Sequence, residues 1–207
     1  MDPPLQTGGG RRLVIQRRMP VFTAGDPAET IDEVVSGALA LWRLASDGRR
    51  QLVELVLPGG FAGFSASTAH GSDCEALVTT SIIRHRRHDI EQDASLRARV
   101  IDSLERQLSA MHAHAMMLGR RTAQERLAAL VLRLAAHRAS AQRQDAPTRI
   151  KLPLTRAEIG DHLGLSMETV CRLFAEFDRE GILRLGRHHG EILALDIPRL
   201  TALAAGE

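Results

Sequence analysis

Apolar positions change their period along the chain, and the changes divide it into three stretches. From Leu13 to about Arg87 short β-rich runs are cut by Gly, Asp and Pro: Phe22 to Pro27, Val34 to Gly37, Leu39 to Leu44 and Leu52 to Leu57. Asp47-Gly48 between two apolar runs predicts a hairpin. Pro58-Gly59-Gly60 and Gly63 mark further turns, and Leu77 to Ile83 predicts a last strand. Glycines at this spacing predict a small antiparallel barrel or roll. Residues 1–12 read as a loose Pro/Gly lead-in.

At Asp89 the period becomes helical. Ile101, Leu104, Leu108, Met111, Ala115 and Leu118 recur at intervals of 3 and 4 residues, an a/d seam whose natural partner is a second copy of the chain. The competing reading is a helix packed on its own barrel. Thr122-Ala-Gln-Glu125 fits a capping box, and Leu127, Leu130, Val131 and Leu134 continue a helix to about His137. Arg138 to Arg149 reads as a polar connection.

The third stretch, Leu154 to Gly181, predicts two helices joined by a tight turn. Ile159 and Leu163 lie one turn apart on the first helix, and Gly164 suits a backbone that must turn at positive φ. Gly160 is small where the helices must approach. Ser166 suits the N-cap of the second helix, where Val170, Leu173, Phe174 and Phe177 form one buried face. Glu168, Cys171 and Arg172 fall on the opposite face. This is helix-turn-helix punctuation. The N-terminal turns of a recognition helix meet base edges, where Arg can bind guanine and Glu can accept from cytosine. The competing reading is an ordinary hairpin with a solvated face, on which Glu168 merely favours the helix dipole. Beyond it, Ile182 to Leu185 and Glu191 to Leu195 flank Gly186 to Gly190. They predict a hairpin wing whose tip carries Arg187, suited to phosphate.

Composition narrows this picture. Net charge is only +2, so any nucleic-acid surface must be local. Cys74 and Cys171 are the 2 cysteines, and they make neither a disulfide framework nor a CxxC pair. No apolar run approaches the roughly 18 residues of a membrane span, and Met1 to Gly10 has no apolar signal-peptide core. The expectation is a soluble cytoplasmic protein without a membrane partner.

From about Leu13 on, the chain resembles the CRP/FNR bacterial transcription regulators, most closely the FNR/FixK branch. Phe22-Thr-Ala-Gly-Asp-Pro, Val35-Ser-Gly37, Asp47-Gly-Arg-Arg and Pro58-Gly-Gly-Phe-Ala-Gly63 resemble the family's β-roll. Thr122-Ala-Gln-Glu-Arg-Leu-Ala-Ala resembles the helix after its dimer helix. The most specific match is Leu152-Pro-Leu-Thr-Arg-Ala-Glu-Ile-Gly-Asp-His-Leu-Gly-Leu-Ser-Met-Glu-Thr-Val-Cys-Arg. The resemblance implies an α+β chain in three parts. These are a β-roll sensor over 1–88, a cyclic-nucleotide-binding-like double-stranded β-helix; a dimerisation helix over 89–119; and a winged helix-turn-helix over 120–207. It also implies an activator acting as a homodimer on double-stranded DNA, with RNA polymerase as a further partner. In the branch a Glu, a Ser and an Arg read a palindrome of the TTGAT…ATCAA type. These map to Glu168, Cys171 and Arg172, with Cys171 departing from the usual Ser. Thr155, Arg156, Ser166 and Thr169 sit where relatives touch phosphate.

The sensor stretch lacks two usual signals. A cyclic-nucleotide phosphate would need a buried Arg partner after Gly63, and the related cassette begins Gly-Glu. Here Phe64 follows Gly63, and no Arg or Lys occurs between Arg50 and Arg84. An iron–sulfur cluster normally needs four cysteine ligands, against 2 in the chain. No cofactor is expected on these grounds. Haem or a metal stays open through His85 and His88, or His112 and His114, although i, i+2 residues face different sides of a helix. A solvated basic patch is the plainer reading of Arg84 to His88. Cys171 offers another signal: near a helix N-terminus and beside Arg172, a thiol is favoured for oxidation. The competing reading is a small residue against a thymine methyl.

Two other functions are weaker. A cupin-like metal enzyme would want several His and a Glu on the strands, and His70 is the only His in the first 80 residues. A non-specific architectural DNA protein is opposed by the near-neutral charge and by Glu168.

Overall fold

The computed structural model describes residues 10–44, 48, 50–142, 149–188 and 190–206. Residues 1–9 of the lead-in, Asp47 of the predicted hairpin and residues 143–148 of the polar connection lie outside these. The chain forms two compact units, Met1–Met111 and His112–Glu207.

The first unit is built on eight strands: β1 (Arg11–Ile15), β2 (Pro20–Phe22), β3 (Thr30–Ser36), β4 (Leu39–Leu44), β5 (Arg50–Val56), β6 (Phe61–Ala62), β7 (Asp73–Ala76) and β8 (Thr80–Arg86). They make two antiparallel sheets, ordered β1-β8-β3-β6 and β2-β7-β4-β5. Alternation along β3 shows how they are filled. Val34 joins Phe22, Leu39, Cys74 and Ile82 in one core drawn from both sheets. Ile31, on the opposite face, packs with Phe61, Leu96 and Val100. The predicted β4–β5 hairpin forms, with Leu44 opposite Arg50.

The run Leu77 to Ile83 is not one strand. It divides at residues 77–79 into a turn and β8, while β7 lies before it. The sequence of β7 hid it: its inward residues are Cys74 and Ala76, and Asp73 and Glu75 lie between them. The basic run Arg84 to His88 is not one solvated patch either. Arg84 grips buried Asp32 with two hydrogen bonds of 2.8 and 2.9 Å. His85 is buried, with Nε2 3.1 Å from Glu33 Oε2. Arg87 donates to the Ala28, Gly63 and Ser65 carbonyls, which leaves Arg86 and His88 in solvent.

The helical stretch breaks at Asp93 into α1 (Arg87–Gln92) and α2 (Ala94–Arg120). Asp93 is extended, and its carboxylate accepts from the Ser95 and Leu96 amides at 2.8 and 3.0 Å. A local cap at the start of a helix thus overrides continuous periodicity. α2 carries two apolar faces. Leu96, Val100 and Ser103 are buried, and Gln107 donates to the Phe61 carbonyl at 2.7 Å. The seam lies on the other side: Ile101, Leu104, Leu108 and Met111 are 50%, 41%, 55% and 57% exposed. Ala115 is exposed and Leu118 half-buried. Packing on the roll and an open seam are therefore properties of different faces.

The second unit comprises the end of α2, then α3 (Ala123–Gln142), β9 (Ile150–Lys151), α4 (Arg156–Leu163), α5 (Met167–Arg179), β10 (Leu183–Leu185), β11 (Glu191–Leu195) and α6 (Ile197–Ala205). Thr122 and Glu125 form the predicted capping box, each backbone N–H meeting the other's side chain at 3.3 Å. Leu127, Leu130, Val131 and Leu134 are buried as expected, and α3 runs past His137. The predicted wing is a sheet ordered β10-β11-β9. Its third strand, β9, directly follows the polar connection Arg138 to Arg149. α6, against α3, was not expected. Asp196 caps it by accepting from the Arg199 amide at 3.0 Å, and Leu200 is buried beneath it. No helix among the described residues is long and apolar enough to cross a membrane.

Candidate nucleic-acid interface

α4 and α5 are fixed by local chemistry. Thr155 caps α4: its hydroxyl accepts from Glu158 N at 3.3 Å, and Glu158 accepts from Thr155 N at 2.7 Å. Gly164 ends the helix at φ 64°, ψ 40°, a left-handed conformation that favours glycine. A Cβ on Gly160 would lie 2.6 Å from the Leu165 carbonyl oxygen, so the turn closes only over glycine. Ser166 caps α5 by accepting from Thr169 N at 3.1 Å. Val170, Leu173, Phe174 and Phe177 are all buried, and they seat α5 on the domain.

The opposite face of α5 is open. Glu168, Cys171 and Arg172 are exposed, on the first two turns of the helix. Met167 stands with them, 57% exposed at the first helical position. Sequence reasoning passed over Met167; its signal was an apolar residue off the buried period. Neither Glu168 nor Arg172 makes a hydrogen bond or ion pair among the described residues, so both are available to a ligand.

The expected phosphate-contact residues flank this face, in different states. The Ser166 and Thr169 hydroxyls pair at 2.9 Å, which uses one of their two protons and leaves the other to donate. Thr155 is half-buried; its hydroxyl accepts from Glu158 and still has its proton. Arg187 is exposed in the wing. Leu185 N donates to Asp178 at 3.0 Å, which ties the wing to the end of α5. Arg156 is half-buried, its guanidinium 3.3 Å from the centre of the Phe174 ring. Burial lowers its pKa to about 10, with the nearby Cys171 thiol acting in the opposite direction, so it keeps its charge at neutral pH. Arg156→Ala is expected to cost about 0.5–2 kcal/mol of stability through the lost cation–π contact. Urea unfolding checks this, and an unchanged midpoint would contradict it.

The histidine pairs do not converge. His85 is buried on β8 while His88 is exposed on α1. His112 is exposed, whereas the His114 ring stacks on His162. Among the described residues no group of three or more His, Cys, Asp or Glu could hold a metal ion. Cys74 is buried, which pushes its thiol up, and Cys171 is exposed.

Comparison with known proteins agrees with this geometry. Residues 125–203 match the Crp-like helix-turn-helix domain, and residues 12–93 match the cyclic nucleotide-binding domain. The chain is 34% identical over 204 residues to the nitrogen fixation regulation protein FixK of Bradyrhizobium diazoefficiens, covering 95% of this chain and 83% of that protein. It is 32% identical over 187 residues to the transcriptional activator protein FnrL of Cereibacter sphaeroides, covering 87% and 75%. The structure of FixK2 from Bradyrhizobium japonicum superposes with a TM-score of 0.80 at 29% identity, over 94% of this chain and 96% of that one. These relatives are transcription regulators, not enzymes. The chain belongs to the CRP/FNR family of DNA-binding transcription regulators, in its FNR/FixK branch.

Proposed function

We propose that this regulator acts as a homodimer that places α5 of each subunit in successive major grooves and reads a palindrome of the TTGAT…ATCAA type. One observation carries the reading: α5 is seated by four buried residues while Met167, Glu168, Cys171 and Arg172 stand together in solvent. Glu168 and Arg172 read base edges, and the Met167 side chain offers an apolar contact for a thymine methyl. Thr155, Arg156, Ser166, Thr169 and Arg187 set register through phosphates. The open α2 seam supplies the two-fold contact, and two-fold symmetry requires half-sites about one helical turn apart. Fluorescence anisotropy on a palindromic and a scrambled duplex at one salt concentration tests this. The palindrome is expected to bind about 10³-fold tighter or more; equal affinity would contradict the reading. Arg156→Ala is expected to weaken both duplexes alike and to lower the salt slope by about 2, one for each subunit.

The reading includes independence from cyclic nucleotide and from an FNR-type cluster. Phe64 follows Gly63, and the two arginines nearest the β8–α1 junction that reach into the roll are committed, Arg84 to Asp32 and Arg87 to backbone carbonyls. A cleft of about 920 Å³ beside Gly25, Pro27 and Ser67 favours a second reading, a small effector in the roll. Its charged lining groups are Glu29 and Arg87, the latter already engaged.

Cys171 supplies a signal inside the reading helix. Attack of its thiolate on a peroxide forms an S–O bond as the O–O bond breaks. The product is a sulfenic acid, with hydroxide leaving to become water. The larger, polar group disturbs the base contact. Mild peroxide is expected to lower DNA affinity of the wild type about tenfold for each half-site, on the order of one lost contact per subunit, and to leave Cys171→Ser unchanged. Equal affinity in all states would end the idea. Buried Cys74 does not compete for the oxidant.

A further inference from the structure

Three helices of the second unit meet at one joint. His114 on α2 stacks on His162 on α4, with ring centroids 4.4 Å apart and planes within 20°. His162 is buried and His114 half-buried. Arg126 on α3 spans the same joint: Nη2 donates to the Leu118 carbonyl at 2.8 Å and Nη1 to the Leu163 carbonyl at 3.0 Å. Leu118 and Arg126 also lie against Gly164, where α4 turns toward α5. Beside the buried Ile159 and Leu163, the contact of α4 with α2 and α3 thus includes one cation and one pair of stacked imidazoles.

We propose that the His114–His162 stack is a proton-sensitive joint, which seats α4 and hence the reading helix while His114 is neutral and loosens it when His114 takes up a proton. The consequence at DNA rests on the reading above; the joint itself does not need DNA. The charged groups that act on His114 are Arg126 and Arg133, both cations from α3. The group facing it from α4 is His162, whose backbone accepts a hydrogen bond from it. His112, on α2 itself, is exposed. A third positive charge here is added beside two arginines, in a half-buried place, against the stacked ring of His162.

Burial first, then Arg133 and Arg126, hold the His114 pKa below the ordinary 6.5, with the bond to His162 opposing them. The unseated form therefore binds more protons than the seated one. Seating is complete above 6.5 and is lost as pH falls through the lower, seated midpoint. The link in the opposite sense, a histidine stabilised by protonation, would need a carboxylate where these arginines stand.

The test follows His114 by imidazole NMR and α4 by hydrogen exchange in the full chain, without DNA, from neutral to acidic pH. The parallel variant is His114→Phe, which keeps a flat ring and cannot titrate. In the wild type His114 is expected to titrate below 6.5. The opening of α4, after division by intrinsic exchange rates, should rise about tenfold for each unit of that depression. His114→Phe should show no such rise. A midpoint at or above 6.5, or the same rise in His114→Phe, would overturn the proposal. If the variant does not fold at neutral pH, the wild-type titration and exchange decide. DNA affinity at neutral pH is measured alongside: its absence there would sink the DNA-reading account and leave the joint standing.

Discussion

Arg172→Ala is expected to abolish most of the preference for the palindrome over scrambled DNA while leaving thermal stability unchanged. Arg172 is exposed on α5 and makes no hydrogen bond or ion pair among the described residues, so its removal breaks nothing in the free protein. On DNA a bidentate Arg–guanine pair is worth about 1–3 kcal/mol. Two-fold symmetry doubles this to about 2–6 kcal/mol, an affinity loss of about 30-fold to 10⁴-fold. The loss should be confined to duplexes that carry the guanine, and choice should relax at that one base pair of each half-site. Comparison with Arg156→Ala separates readout from positioning, since Arg156 lies on α4 and packs on Phe174. A uniform loss across sequences in both variants would count against base reading by Arg172.

Leu104→Asp combined with Leu108→Asp is expected to give a folded monomer without measurable affinity for the palindrome at concentrations where the wild type is saturated. Both leucines are half-exposed, at 41% and 55%, so about half of the roughly 1.5–3 kcal/mol available from burying each remains to be gained. Over both copies that is about 3–6 kcal/mol, and the introduced carboxylates would also be desolvated against each other. The dimer should weaken by about 10²-fold to 10⁴-fold or more. The α2 face toward the roll uses different residues, Leu96, Val100 and Gln107, so the fold should survive. Analytical ultracentrifugation and circular dichroism check the two halves of this expectation. A variant that stays dimeric would move the two-fold contact elsewhere.

What was legible in the sequence was local. The caps at Thr122 and Ser166, the turn at Gly164 and the buried period of α5 each lie within a few residues of their partners. All appear in the structure as read. The β-roll was legible as a class but not strand by strand. β7 carries its inward positions on Cys74 and Ala76, too small to make an apolar run, and β9 is two residues long. The break at Asp93 was hidden because a single cap competes with a strong helical period on both sides. The site followed the same rule. Glu168, Cys171 and Arg172 could be placed from spacing, because the helix that carries them is local. The packing of Arg156 on Phe174 and the stacking of His114 on His162 join residues far apart in the chain. Neither leaves a mark on periodicity or spacing.

Selection of bound duplexes from a random DNA pool by the full-length protein tests the central claim most directly. The expected product is a palindrome of the TTGAT…ATCAA type with half-sites one helical turn apart. For Arg172→Ala the selected site should lose its preference at one base pair of each half-site, and for the Leu104, Leu108 double variant enrichment should disappear. No enriched sequence, a lone half-site, or the same palindrome recovered by Arg172→Ala would contradict the account.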